Sequence, residues 1–455
     1  MLSLGSSMLR SCEGFTRREW LRAGALAPLG FTLPDLLRQR ADASNTRPRA
    51  KSCIVVFLFG APAHQDIWDL KPNAPSDVRG EFRPIASSVP GIQLGEHVPR
   101  IAREAHRLAL IRSVSHPDNT HTVAMHYMLT GVRHVRPNTN PQNQPSDFPT
   151  FGAVLQKLRG SPTTLPAGIS LNSPANQVSA NNHIFPGFFA GFLGNAFDPL
   201  FVPQDPSRRE FQPFPVAEGE AQARLLERRP LVAEIDRRQQ ALLNTASSRT
   251  LDAHYARAFD LVTAPATRRA FDLSMESAAV RDRYGPSAFG QGLLLARRLV
   301  EAGVSLVTVN WARDDAFWDT HADNFNLLKN NLLPPFDQGF SALLADLHQR
   351  GMLEETLVVC LGEFGRTPRI NPQAGRDHWA ACNTVVFAGG GVAGGQVHGA
   401  SDRLAAYPST SPVSPEDIAA TIYHALGVDL DTPLYDAVGR PVPLCTGNPL
   451  TNLFR

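Results

Sequence analysis

The stretch LVVCLGEFGRTPRINPQAGRDHW, residues 357–379, begins as an unbroken apolar run and then empties Glu363, Arg366, Asp377 and His378 into one loop. A strand without polar alternation belongs in a sheet covered on both faces. Such sheets gather ligands beyond the carboxyl ends of their strands. The charged loop is therefore where chemistry is expected. The bland alternative is a solvated connection that merely contains Glu, Arg and His, and the rest of the chain decides between the two.

Three further runs read as buried strands: CIVVFLF (53–59), RLALIRSV (107–114) and VSLVTVNW (304–311). NTVVFAGGG (383–391) adds one that ends in glycines. Helical patterns lie between them. QGLLLARRLVEAG (291–303) stops at Gly303, and the pattern around Pro334 and Pro335 resumes as a helix after the proline pair. SPEDIAATIYHALG (414–427) has Ser414 as N-cap, Pro415 at the first helical position, Asp417 three residues on and Gly427 as stop. Strands alternating with helices predict an α/β fold built on a doubly wound, mainly parallel sheet. Residues 133–148, rich in Pro, Asn and Gln, read as a long loop, and the charged segment 222–243 reads as helical. Together they suggest an insertion over about 133–290 that covers one edge of the sheet.

With 455 residues, 43% of them hydrophobic and 19% charged, the chain can fill a large core. A net charge of +2, with no basic stripe interleaved with aromatics, argues against nucleic acid as a partner. At the N-terminus, Arg17 and Arg18 are followed by Trp20, Leu21 and Arg22 and by a short apolar segment that Pro28 and Pro34 interrupt. This resembles a twin-arginine export signal, and it is too short to span a bilayer. Ala41–Asp42–Ala43 offers a cleavage site before Ser44. The expected division is a leader over 1–43 and a mature domain over 44–455, delivered by the twin-arginine machinery to the periplasm or beyond, without a membrane span. The competing reading is an amphipathic first helix of the domain. Without Cys12 the mature chain keeps Cys53, Cys360, Cys382 and Cys445, none in CxxC spacing, so no thiolate metal site is expected.

Acids and histidines cluster just after the predicted strands. Residues 60–69 hold His64, Asp66 and Asp69; residues 115–131 hold His116, Asp118, Thr120, His121 and His126; residues 312–325 hold Asp314, Asp315, Asp319, His321 and Asp323. The opening stretch adds Glu363, Asp377 and His378. Single histidines such as His64, His126, His183, His254 and His424 take the ordinary reading of core or surface residues. Several loops converging on one sheet edge are another matter. Imidazole and carboxylate donors without thiolates suit divalent zinc or manganese, and sets with fewer histidines suit magnesium or calcium. Two ions roughly 3.5–4 Å apart would use about six such ligands.

WDTHADNF (318–325), GEFGRTPRIN (362–371), GRDHW (375–379), LLLARRLVEAGVSLVTV (293–309), HYMLTG (126–131) and the closing segment 414–444 resemble, in order, the signature segments of the domain-of-unknown-function family 1501, DUF1501. That family is a set of exported proteins similar in fold to the alkaline phosphatase and sulfatase superfamily. The resemblance implies an alkaline phosphatase-like fold in which Asp319, His321 and His378 ligate one metal and Glu363 stands where the superfamily has Asp-His. Asp66 would stand for the first metal-binding Asp, displaced because FGAPAHQD replaces the usual immediate Gly-Asp-Gly. Counting back from the Gly of LTG, as in sulfatases, lands on His121, flanked by Thr120 and Thr122. Thr120 is then the candidate nucleophile, or else His121 is a ligand and a metal-bound hydroxide attacks. Arg366 is the candidate clamp on the anionic group, with pairing to Glu363 as its structural alternative. The implied function is an exported, metal-dependent hydrolase of phosphate or sulfate esters, with a small anionic ester or a sulfated or phosphorylated glycan as substrate. The alternative is a catalytically degenerate binding protein of the cell envelope.

Overall fold

A computed structural model describes residues 48–172, 184–213, 264–311 and 317–455. The leader, the 222–243 segment, Asp314, Asp315, His183 and His254 lie outside the described residues. The central sheet has eight strands: β1 (Ser52–Phe57), β2 (Leu108–Val114), β3 (Gly168–Leu171), β4 (Leu200–Val202), β5 (Leu306–Asn310), β6 (Thr356–Leu361), β7 (Asn383–Gly389) and β8 (Gln396–His398). Their spatial order is β8-β2-β7-β6-β1-β5-β3-β4. The principal helices are α1 (His121–Thr130), α2 (Phe151–Arg159), α3 (Ala288–Glu301), α4 (Leu333–Gln349) and α5 (Pro415–Ala425).

Strand β1 pairs in parallel with β5 and β6, and β3 in parallel with β4 and β5. Only β7 runs against its neighbours β6 and β2. The reason lies in the connection. The chain between β6 and β7 carries a two-stranded ribbon, Gly365–Arg366 against His378–Trp379, and no crossover helix, so it cannot return the chain to a parallel start. The fold is thus the mainly parallel α/β arrangement that the apolar runs predict.

Alternate residues of β1 enter opposite cores. Ile54 and Val56 pack with Leu293 of α3 and Leu343 of α4, while Val55 and Phe57 pack with Met125 of α1, Val154 of α2 and Ile422 of α5. Burial on both faces is what removes polar alternation from such strands, and each filled position contributes about 1.5–3 kcal/mol. Local signals hold the helices in register. Ser414 and Asp417 form a reciprocal capping box at α5, and Ser287 accepts from Gly290 N at α3. Pro334 and Pro335 open α4 directly after a π-helical turn, Leu328–Leu332, so their missing N–H groups fall where the regular i to i−4 ladder is already interrupted.

Part of the expected insertion belongs to the sheet. Strands β3 and β4 fall between residues 133 and 290, yet they extend the sheet beside β5. GISL and LFV are too short to announce themselves by periodicity; pairing with an existing edge makes them strands. The loop 133–148 is irregular, as read, and it folds back on the start of α1, where Asn138 Oδ1 accepts from Asn119 N at 3.1 Å and Thr122 donates to Asn140 at 2.8 Å. Cys53, Cys360, Cys382 and Cys445 are free thiols. No helix among the described residues is long and apolar enough to cross a membrane.

Candidate metal centre

Strands β1, β2, β5 and β6 end at the same edge of the sheet, so the loops that follow them meet there. Two glycines let them meet. Gly60 has φ +102°, and a Cβ on it would fall 2.6 Å from Asp319 N; one on Gly375 would fall 1.9 Å from His321 O.

At the meeting point Asp319 is ringed by imidazoles. His321 Nε2 lies 3.0 Å and His378 Nε2 3.2 Å from Asp319 Oδ1, and His121 Nε2 lies 3.3 Å from Oδ2. His121, Asp319 and His378 offer donor atoms all within 4.8 Å of one another. The opposite nitrogen of each ring meets an acceptor: His121 Nδ1 to Glu363 Oε1 at 2.5 Å, His321 Nδ1 to Asp377 Oδ1 at 2.8 Å, His378 Nδ1 to the Asn119 carbonyl at 2.8 Å. Carboxylate and carbonyl oxygens only accept, so every Nδ1 carries a hydrogen; each Nε2 faces Asp319 and donates to it when the ring is protonated, or turns a lone pair inward when a cation takes the proton's place. His321 Nε2 and His378 Nε2 stand 3.0 Å apart. Two lone pairs at that distance repel unless a proton or a metal cation lies between them.

The set fits a cation. Tetrahedral bonds of about 2.0–2.1 Å place neighbouring donors about 3.3 Å apart, close to the separations here. His121 Nε2 is buried without a hydrogen-bond partner in good geometry, as expected of a group that faces a cation site. Without metal, protons substitute. Burial opposes the charged form of His121, but the neighbouring carboxylates of Asp319 and Glu363 outweigh it and push its pKa up to about 9. Burial likewise opposes ionised Asp319, yet the bonds from His121 and His378 and the charge of Arg366 hold it well below the usual carboxylate range. Phe364, fully buried, lies under the His121 and His378 rings at 4.7 and 4.6 Å between centroids and keeps that side dry.

The sequence-predicted residues thus separate into groups. His121, Asp319, His321 and His378 converge. Glu363 is not a direct neighbour of the donor atoms; it stands behind His121, accepts from its Nδ1 and from Gly60 N, and fixes which nitrogen faces inward. Asp66 lies elsewhere: it is 1% exposed, with both oxygens taken by Arg376 at 2.7 and 2.8 Å. Arg366 does not project toward a substrate space. Fully buried, it donates to Asp319 at 2.6 Å and to the carbonyls of Gly60, Ala61, Trp318 and Arg376, so it anchors Asp319 rather than pairing with Glu363 or clamping an anion. Among the described residues one such donor group is assembled, against the six or so ligands two ions require. Thr120 is the N-cap of α1, between Asn119 and His121, and its side chain makes no capping bond. Asp377 is among the clustered acids of the sequence, without a role assigned; Asn119 and Arg376 are not, and a backbone carbonyl such as that of Asn119 leaves no signal in the sequence.

A family profile described as "Protein of unknown function (DUF1501)" matches residues 50–454. The chain belongs to this family. No curated protein sequence matches it. Solved structures similar to this DUF1501 chain include a sulfatase from Pseudoalteromonas sp. (14% identity, 87% of this chain and 71% of that one, TM-score 0.39) and a phosphonate monoester hydrolase from Silicibacter pomeroyi (12%, 89% and 76%, TM-score 0.42). The alkaline phosphatase of the Antarctic bacterium TAB5 is also similar (12%, 75% and 92%, TM-score 0.35).

Proposed function

We propose that the chain is a metal-dependent hydrolase of phosphate or sulfate esters whose metal sits at His121, Asp319, His321 and His378. The convergence of three imidazole Nε2 atoms on one carboxylate is the observation that carries this reading. The donor set, rich in nitrogen and without thiolate, favours zinc or manganese over calcium or magnesium. A bound metal supplies Lewis acidity toward an ester oxygen. The chain's own groups do the rest. Glu363, Asp377 and the Asn119 carbonyl orient the rings, Arg366 holds Asp319, and the free N–H groups at the start of α1 favour an anionic substrate. Thr120, next to His121 in the chain and with its side chain making no capping bond, is the proposed nucleophile. The ester class comes from the resemblance of the ordered motifs to DUF1501, a family similar in fold to sulfatases and alkaline phosphatases.

The test is elemental analysis of the mature protein followed by p-nitrophenyl phosphate, sulfate and phosphonate assays with metal removed and restored. Thr120→Ala should abolish turnover with metal retained. If it keeps the rate within roughly tenfold, the hydroxyl only assists. Bound metal without turnover of any ester would favour the binding-protein alternative. Export through the twin-arginine route is part of the proposal. Replacing Arg17 and Arg18 by Lys should hold the chain in the cytoplasm, and unchanged delivery would end that reading.

A further inference from the structure

His116 and Asp118 stand between β2 and α1 among the acids and histidines that gather after the strands, yet neither is a donor of the metal centre. His116 is 6% exposed, and each ring nitrogen has a partner: Nδ1 accepts from Asp118 N at 3.3 Å, and Nε2 meets the Glu363 carbonyl at 2.7 Å. A backbone N–H only donates and a carbonyl only accepts, so the hydrogen sits on Nε2. Burial holds the pKa of His116 below the ordinary imidazole value, so the ring is neutral and keeps that one hydrogen. The ring is held from other sides too. Tyr127 of α1 meets it edge to face at 5.5 Å and is itself tied by its hydroxyl to Glu416 at 2.6 Å, while His116 N donates to Ala380 O at 3.0 Å. Asp118 is fixed in turn by Arg133 at 2.9 and 3.0 Å.

The Glu363 carbonyl belongs to the peptide that joins Glu363 to Phe364. Both side chains serve the metal centre: Glu363 accepts from His121 Nδ1, and Phe364 lies under the His121 and His378 rings. The peptide falls between β6, which ends at Leu361, and the ribbon that begins at Gly365, so neither strand ladder fixes it. Glu363 and Phe364 are fully buried, and a buried carbonyl deprived of its donor is costly enough to make the peptide turn. Such a turn moves both side chains at once.

We propose that His116 is a positioning residue of the metal centre: its Nε2–H holds the Glu363–Phe364 peptide and so sets how tightly His121 and His378 grip the ion. The inference rests on the reading that a metal occupies His121, Asp319, His321 and His378. The experiment measures, for the full mature chain and its variants His116→Asn and His116→Gln, zinc affinity by competition with a zinc-sensitive dye and the denaturation midpoint of the metal-free protein. Asn keeps an acceptor for Asp118 N but is too short to reach the Glu363 carbonyl, whereas Gln puts an amide N–H near the place of Nε2. His116→Asn should weaken zinc binding roughly tenfold and His116→Gln should stay within about threefold of the wild type, since losing an outer partner of a ligating histidine costs about 10–100-fold and Gln restores the bond. A role confined to packing would lower the metal-free midpoint in both variants and leave the affinity alone; that result, or equal weakening by Asn and Gln, overturns the proposal. Where His116→Asn does not fold, nitrogen-15 NMR of the wild-type histidines takes its place. It should show His116 as the Nε2–H tautomer with a resonance that shifts when zinc is added, and an Nδ1–H tautomer or a resonance indifferent to zinc overturns the proposal. A wild type that binds no zinc overturns the metal reading and the proposal with it, whereas zinc bound equally by all three proteins removes only the role of His116.

Discussion

Asp66 and Asp319 stand beyond the ends of two neighbouring strands, β1 and β5, and they are held in opposite ways. Asp66 is sealed: a bidentate guanidinium from Arg376 and the amide of Asn324 at 2.9 Å occupy its two oxygens. Asp319 keeps about a third of its side chain exposed and gathers one guanidinium contact and three imidazoles. A carboxylate matched to one Arg is neutralised within the protein and has nothing left to bind. One surrounded by inward lone pairs carries a deficit of positive charge that an ion can fill. The difference separates a charge spent inside the protein from one left open to a ligand, although both residues follow apolar strands in the sequence.

The largest effect should come from Asp66→Ala. It strands the fully buried Arg376, and removing one partner of a buried pair costs about 3–5 kcal/mol. Chemical denaturation should show that loss, with metal content per folded molecule unchanged; lost metal in a still-folded protein would break the comparison. Asp319→Ala also strands a buried guanidinium, that of Arg366, so its metal-free stability falls too, and what sets it apart is the metal. The substitution should strip metal from the purified protein and remove the stabilisation that metal confers, about 2.7 kcal/mol with free metal at a hundred times Kd, so that EDTA lowers the Tm of the wild type but not of the variant. An equal EDTA response in both would place the metal elsewhere. Glu363→Gln should keep the fold and weaken metal binding by roughly 10–100-fold, the usual cost of losing an outer carboxylate behind a ligating His. Competition with a zinc-sensitive dye reads this directly, and abolished binding would restore Glu363 as a ligand. His424→Ala, on α5, should be the smallest change, leaving metal content unaltered by elemental analysis.

Much of this was legible beforehand because it is local. Apolar runs with no polar face required a sheet buried on both sides, and Ser414, Asp417 and Gly427 marked the ends of α5 within a few residues of chain. Strand direction brought the loops that carry His121, Asp319, His321 and His378 to one edge, since parallel strands deliver their following loops to the same side, but the same argument also put Asp66 and Glu363 among the ligands. Strands β3 and β4 were not legible: three or four residues carry no period, and their state depends on an edge supplied by β5.

Residue type and order therefore determined the fold class, the edge where chemistry collects and the donor types there. Tertiary structure decided which acids serve and which are spent. Asp66 and Arg376 are 310 positions apart, and Glu363 meets His121 across 242. No local pattern records such pairings, because whether a charge is neutralised, turned inward or placed one shell back depends on what packing brings within about 3 Å of it.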